Sequence, residues 1–78
     1  MFNLFKKKPL GTTITLKLSG LHCSSCSLNI DSDLEDIPGV ISNSTSYAKQ
    51  ETVITYDPKL VSPAVFTKVI EKLGYKVI

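Results

Sequence analysis

Two cysteines, Cys23 and Cys26, stand two residues apart in the stretch GLHCSSC, directly after the only histidine of the chain, His22. The thiolate is the form of cysteine that binds a metal or attacks a disulfide. The pair therefore admits three readings: a metal loop, thiol–disulfide chemistry, or two small buried side chains of no chemical use. A disulfide staple is the weakest use, because a bridge between residues three positions apart closes too short a loop to restrain the unfolded chain much. Two soft thiolates and nothing else suit Cu(I), which accepts few, soft ligands, whereas Zn(II) prefers four and would leave such a site half empty. An ion held by two sulfurs at a surface can be attacked by a third thiolate from a partner, so it crosses by shared coordination without becoming free. His22 reads as a solvent-facing side chain beside the pair, with a third-ligand or pH-gating role as the alternative. The competing chemistry is redox, since thioredoxin- and glutaredoxin-type proteins also set CxxC between a strand and a helix.

The elements around the pair decide between these. Residues 12–18 alternate, with Ile14, Leu16 and Leu18 on one face and Thr13, Thr15 and Lys17 on the other, which predicts a half-buried strand. Gly20 breaks it. Ser24 or Ser25 can cap a helix beginning near Cys26, which puts the Cys26 thiol where the helix dipole and free N–H groups favour the thiolate. Ile30, Leu34 and Ile37 form the buried stripe of that helix, and Pro38-Gly39 ends it. Its acids, Asp31, Asp33, Glu35 and Asp36, are expected on a solvated face. Residues 40–47 read as an edge strand with Asn43 and Thr45 where apolar residues are expected, which puts in doubt how well it is held. Residues 52–56 read as a third strand facing inward with Thr52, Ile54 and Tyr56. Ser62-Pro63 starts a second helix with Phe66, Val69, Ile70 and Leu73 buried and Gly74 as its left-handed stop, and residues 75–78 complete the sheet.

The order βαββαβ predicts an α+β, ferredoxin-like sandwich: a four-stranded, antiparallel-containing sheet with both helices on one face. Right-handed crossovers are expected to set the first and third strands side by side and parallel. They would bring the loop after Tyr56 and the Gly74-Tyr75 turn to the same end as loop 20–26. Redox folds follow their first helix with further α/β units, so the element order favours the metal reading.

A chain of 78 residues has room for one core, leaving residues 1–11 as a flexible N-terminal tail and 12–78 as the domain. The start, MFNLFKKKPLGT, places its apolar residues before its lysines, the wrong order for an export signal, so the expected location is the cytoplasm. The net charge of +2 is more than accounted for by Lys6, Lys7 and Lys8. Without them six lysines face seven acids, leaving −1, and no basic stripe remains for nucleic acid.

Four segments in order, GLHCSSC after a strand, IPGV after a helix, VITYDPKLVSPAVF, and IEKLGYKV at the end, resemble the heavy-metal-associated domain family over residues 13–78. The resemblance implies the βαββαβ fold and the role of small bacterial copper chaperones or of N-terminal domains of copper- or zinc-exporting P-type ATPases. It implies Cys23 and Cys26 as metal ligands, Gly20 as the residue that lets the loop turn, and Ser24 and Ser25 as the residues between the ligands. Leu21, at a position usually methionine, would pack into the core beneath the loop, and Tyr75 of the LGY segment would lie near the metal. The implied cargo is Cu(I), with Zn(II) or another soft heavy metal as the alternative. The implied partner is a P-type metal-transporting ATPase or another CxxC metal protein, with a metal-bridged homodimer also open. Membrane contact is expected only through a transporter partner or through the tail, where Phe2, Leu4 and Phe5 precede the lysines. No enzymatic turnover is expected; a small thiol–disulfide oxidoreductase is the reading from a different class.

Overall fold

Alternation along a strand gives it one face to bury, and Ile14, Leu16 and Leu18 provide that face in β1 (Thr12–Ser19), the first element of the computed structural model, which describes residues 11–78. The tail expectation falls on residues almost all of which lie outside the described ones. After β1 come α1 (Ser24–Glu35), β2 (Val40–Ser46), β3 (Glu51–Tyr56), α2 (Pro63–Lys72) and β4 (Lys76–Val77). The sheet order is β2-β3-β1-β4, so β2 is an edge strand as its sequence implied.

Every strand pair is antiparallel, including β1 with β3, where Thr12 faces Tyr56 and Lys17 faces Glu51. This corrects the parallel arrangement expected for these two strands. The crossover through α1 sets β1 and β2 in the same direction, and the tight turn that follows must reverse β3, which then inserts between them. The loop after Tyr56 consequently lies at the opposite end from loop 20–26. The turn 47–50 lies at the same end, and so does the Gly74-Tyr75 turn, because Ser19 pairs with Lys76.

Ile30 and Leu34 from α1, Phe66 and Ile70 from α2, and Leu18, Ile54 and Tyr56 from the sheet form the core, with Leu21 and Val61 closing it from the loops. Phe66 meets Tyr56 edge-on, with ring centroids 5.0 Å apart at 77°, a favourable quadrupole arrangement. Ser62 and Pro63 stand at the N-cap and first position of α2, and Gly74 takes the left-handed conformation beyond its end at φ +102. Among the described residues no helix is long and apolar enough to cross a membrane.

The edge strand holds through polar bonds. The register slips between Val40 and Ser42, so Ile41 bulges out and Asn43 and Thr45 turn inward opposite Ile54 and Thr52. There the Asp31 carboxylate accepts from Asn43 Nδ2 at 3.1 Å and from Thr45 Oγ1 at 2.6 Å, and Thr45 Oγ1 lies 2.9 Å from Thr52 Oγ1. Asn43 Nδ2 also donates to the Asp31 backbone carbonyl at 3.1 Å. Asp31 is thus half-buried against β2, not on the solvated acidic face. Replacing it by alanine removes the carboxylate that both inward donors share, leaving Asn43 only the backbone carbonyl and Thr45 only Thr52, and should destabilise the domain by about 1–3 kcal/mol. The exposed Asp33→Ala should stay within about 0.5 kcal/mol, a contrast that urea denaturation at neutral pH reads directly.

Candidate metal centre

β1 ends at the surface, and the chain must then dip back into the core before it can present a cysteine. Gly20 makes the turn with φ +100, a conformation that side-chain-bearing residues rarely adopt. Leu21 goes inward and is only 5% exposed, while His22 and Cys23 emerge again into solvent. Leucine therefore occupies the place beneath the loop that the family resemblance gave to an apolar anchor.

The helix begins earlier than the serines implied. Ser24 is the first residue of α1 and Cys23 itself is the N-cap, in extended backbone at φ −159, ψ 173. Cys26 lies within the first turn, half-buried and packed against the core, with its N–H donating to the Cys23 carbonyl at 3.1 Å. The two sulfurs are 3.9 Å apart, and neither is in a disulfide. An ion about 2.3 Å from each, a typical metal–thiolate distance, would see them at an angle of about 116°, with one side open. Linear two-coordination would need them about 4.6 Å apart.

The surroundings stabilise negative charge. The Cys23 thiol is lowered from 9.0 to about 7, first by the Ser25 hydroxyl 2.9 Å from its sulfur, then by the backbone N–H groups of Cys26 and Ser25, and then by the Cys26 side chain. No formal cap bond forms to the sulfur, yet those N–H groups at the open helix end lie close enough to favour the thiolate. The expectation of an activated thiol at the helix start was attached to Cys26; the residue that occupies the cap is Cys23. Tyr75 is half-buried over the loop, its ring close to Gly20. Its hydroxyl is held in the protonated form above its usual range by hydrogen bonding to Cys26, then by burial, then by the charges of Cys26 and Cys23.

Ser24 and His22 are exposed. Among the described residues no group of three or more His, Cys, Asp or Glu side chains is gathered to hold an ion, and the two free thiols stand as a pair.

Gln50 was not legible as part of this site. Its side-chain amide accepts from the Leu21 N–H at 3.1 Å and donates to the Leu21 carbonyl at 2.7 Å, and its own carbonyl accepts from the Leu18 N–H at 2.8 Å. It does this from a left-handed backbone, φ +53. The available signal was the turn 47–50, Tyr-Ala-Lys-Gln, which contains no glycine or asparagine to take a left-handed position.

Alkylation of the reduced protein with iodoacetamide, followed by mass spectrometry, should show Cys23 reacting half-maximally near pH 7. Ser25→Ala removes the main donor to the thiolate and should move that midpoint upward, toward the ordinary thiol range. A Cys23 midpoint near the ordinary range in both proteins would refute this electrostatic account.

A sequence model of the heavy-metal-associated domain matches residues 15–76. The chain is 38% identical over 61 residues to copper-transporting ATPase 2 of Mus musculus. It is 37% identical over 70 residues to the zinc-transporting ATPase of Synechocystis sp. (strain ATCC 27184 / PCC 6803 / Kazusa). These matches cover 78% and 90% of this chain but only 4% and 10% of those proteins, so the chain spans a small part of the relatives' length. Among solved structures, the CopZ metallochaperone aligns with a TM-score of 0.83 at 27% identity, over 86% of this chain and 100% of that one. With its βαββαβ sandwich, its loop of paired thiols and a family match across most of its length, the chain belongs to the heavy-metal-associated domain family.

Proposed function

We propose that this chain binds one soft metal ion, Cu(I) before Zn(II) or another heavy metal, on Cys23 and Cys26 and passes it to a thiol site on a partner by ligand exchange. The observation that carries this reading is the pair of sulfurs 3.9 Å apart at an exposed helix start, one of them with its pKa lowered to about 7. Two thiolates with no third ligand gathered beside them among the described residues suit Cu(I) better than Zn(II), which fills four positions in structural sites. The open side of the ion is where a partner's thiolate would attack, giving a three-coordinate ion shared between the proteins. Departure of Cys23, entry of the partner's second thiolate and departure of Cys26 would complete the transfer, each metal–sulfur bond lost being replaced by one to the partner and no covalent bond of the protein being broken.

The partner proposed is a P-type metal-transporting ATPase or another CxxC metal protein, a choice supported by the copper- and zinc-transporting relatives. A reducing cytoplasm keeps both thiols available for this exchange. A second copy of the chain offers the same two thiolates, so an ion shared between two molecules belongs to the same chemistry.

One observation favours a different class. A thiol with a pKa of about 7 is also what a thiol–disulfide oxidoreductase uses, and turnover of a disulfide substrate with a dithiol reductant would mark that activity. The hairpin after α1, where redox folds place further α/β units, supports the metal reading.

Titration of the reduced protein with Cu(I) against a competing chelator should give tight binding at one ion per monomer or per dimer, with Zn(II) bound more weakly. Cys23→Ser or Cys26→Ser should lower Cu(I) affinity by several orders of magnitude while leaving the fold intact. Retention of wild-type affinity in either variant would remove these residues from the site. Below pH 7 protons compete for Cys23, so apparent affinity should fall with decreasing pH.

A further inference from the structure

We propose that Gln50 is a positioning residue for metal binding: its side-chain amide clamps both backbone polar groups of Leu21 and so holds Cys23 within reach of Cys26. This inference rests on the metal-binding reading above and adds a residue to it from 29 positions away in sequence. Loop 20–23 has no regular secondary structure to fix it. Cys23 at its far end is joined to α1 through its carbonyl, which accepts from the Cys26 N–H at 3.1 Å; ahead of it the loop is attached by the buried Leu21 side chain, the Gly20 turn, and the two Gln50 bonds at 3.1 and 2.7 Å.

The chemistry of the clamp is specific to an uncharged amide. Leu21 presents one donor and one acceptor, and a side chain meeting both must accept and donate from neighbouring atoms, which Gln and Asn do and Glu or Lys do not. Asparagine is shorter by one methylene and could not span the same gap from the same backbone. Gln50 itself sits in a left-handed turn position at φ +53 that glycine or asparagine would occupy with less strain. The amide also donates to the Tyr47 carbonyl, tying the turn 47–50 to the metal loop. β3 begins at the next residue and Leu18 of β1 donates to the Gln50 carbonyl, so the clamp is mounted on the two central strands of the sheet.

Without the clamp, Cys23 would sample positions away from Cys26, and the apparent affinity for an ion needing both sulfurs falls with the fraction of time they are together. Two variants test this in the full chain. Gln50→Glu keeps the size and the acceptor but removes the donor; Gln50→Asn keeps the amide and suits the left-handed turn but shortens the reach. With Cu(I) and bicinchoninate as the competing chelator, both should bind about tenfold more weakly than wild type, a loss in keeping with one or two net hydrogen bonds. Both should also release Cu(I) to the chelator faster by a similar factor. A Gln50 that merely supports the fold would lower the melting temperature and leave the affinity and release rate of the folded protein unchanged, and that result overturns the proposal. In the metal-free wild type, the Leu21 amide should exchange its hydrogen far more slowly than the neighbouring His22 amide; equal exchange would overturn the clamp even if neither variant folds. Wild-type protein that fails to bind Cu(I) would sink the metal reading and this inference together, whereas unchanged binding in both variants would sink this inference alone.

Discussion

The burial of Leu21 is the constraint on which the rest of the site depends. A chain that ends a strand at the surface, returns a leucine to the core and exposes a cysteine two residues later has few backbone paths available, and the left-handed Gly20 is part of the one taken. Burying a leucine side chain contributes about 1.5–3 kcal/mol, whereas exposed Cys23 contributes little of that kind. Burial is therefore divided between neighbours: Leu21, Leu18 and Ile30 hold the fold, and the Cys23 thiol stays exposed and outside any disulfide. Cys26 stands between the two roles, with its sulfur near that of Cys23 and its side chain against the core.

Among the described residues the groups that stabilise negative charge at the Cys23 sulfur are dipoles and not fixed cations. The Ser25 hydroxyl and the backbone N–H groups at the start of α1 lie at the Cys23 sulfur. Lys17, at the same end of the sheet, is engaged by Glu51 at 2.8 Å on the outer face, and that contact lowers the Glu51 carboxyl below its usual range. Dipoles of this kind favour a thiolate without competing for the place of an incoming ion, since none of them carries a full positive charge. A lysine at sulfur distance would favour the thiolate as well but would repel a cation.

What was legible in the sequence was local. The alternation of Ile14, Leu16 and Leu18, the stop at Pro38-Gly39 and the Ser62-Pro63 start are each decided by residues within a few positions of one another, and all appear in the fold. The pairing direction of β1 and β3 was misjudged because it depends on the whole path, a crossover followed by a reversal, and not on either strand. Asp31 was misplaced because its partners, Asn43 and Thr45, lie on another element and turn inward only through the bulge at Ile41. The same polar residues that cast doubt on β2 are the ones that hold it, and one acid from a helix accounts for both departures. Gln50 was missed for the same reason, since its bonds to Leu21 cross from one turn to another.

The unequal setting of the two cysteines gives the proposed exchange a direction within the site. An ion bound by both sulfurs at their separation of 3.9 Å would be bent, and linear coordination would require them to separate by about 0.7 Å. Cys26 is carried on the helix and packed against buried side chains, so displacing it disturbs the core; Cys23 is exposed at the cap and moves at less cost. In the proposed exchange the opening movement would therefore fall to Cys23. An incoming thiolate that approaches from the open side would meet an ion whose looser ligand is the exposed one, and Cys26 would be the last to let go. The tethering of Leu21 by Gln50 would limit how far Cys23 could travel in that step.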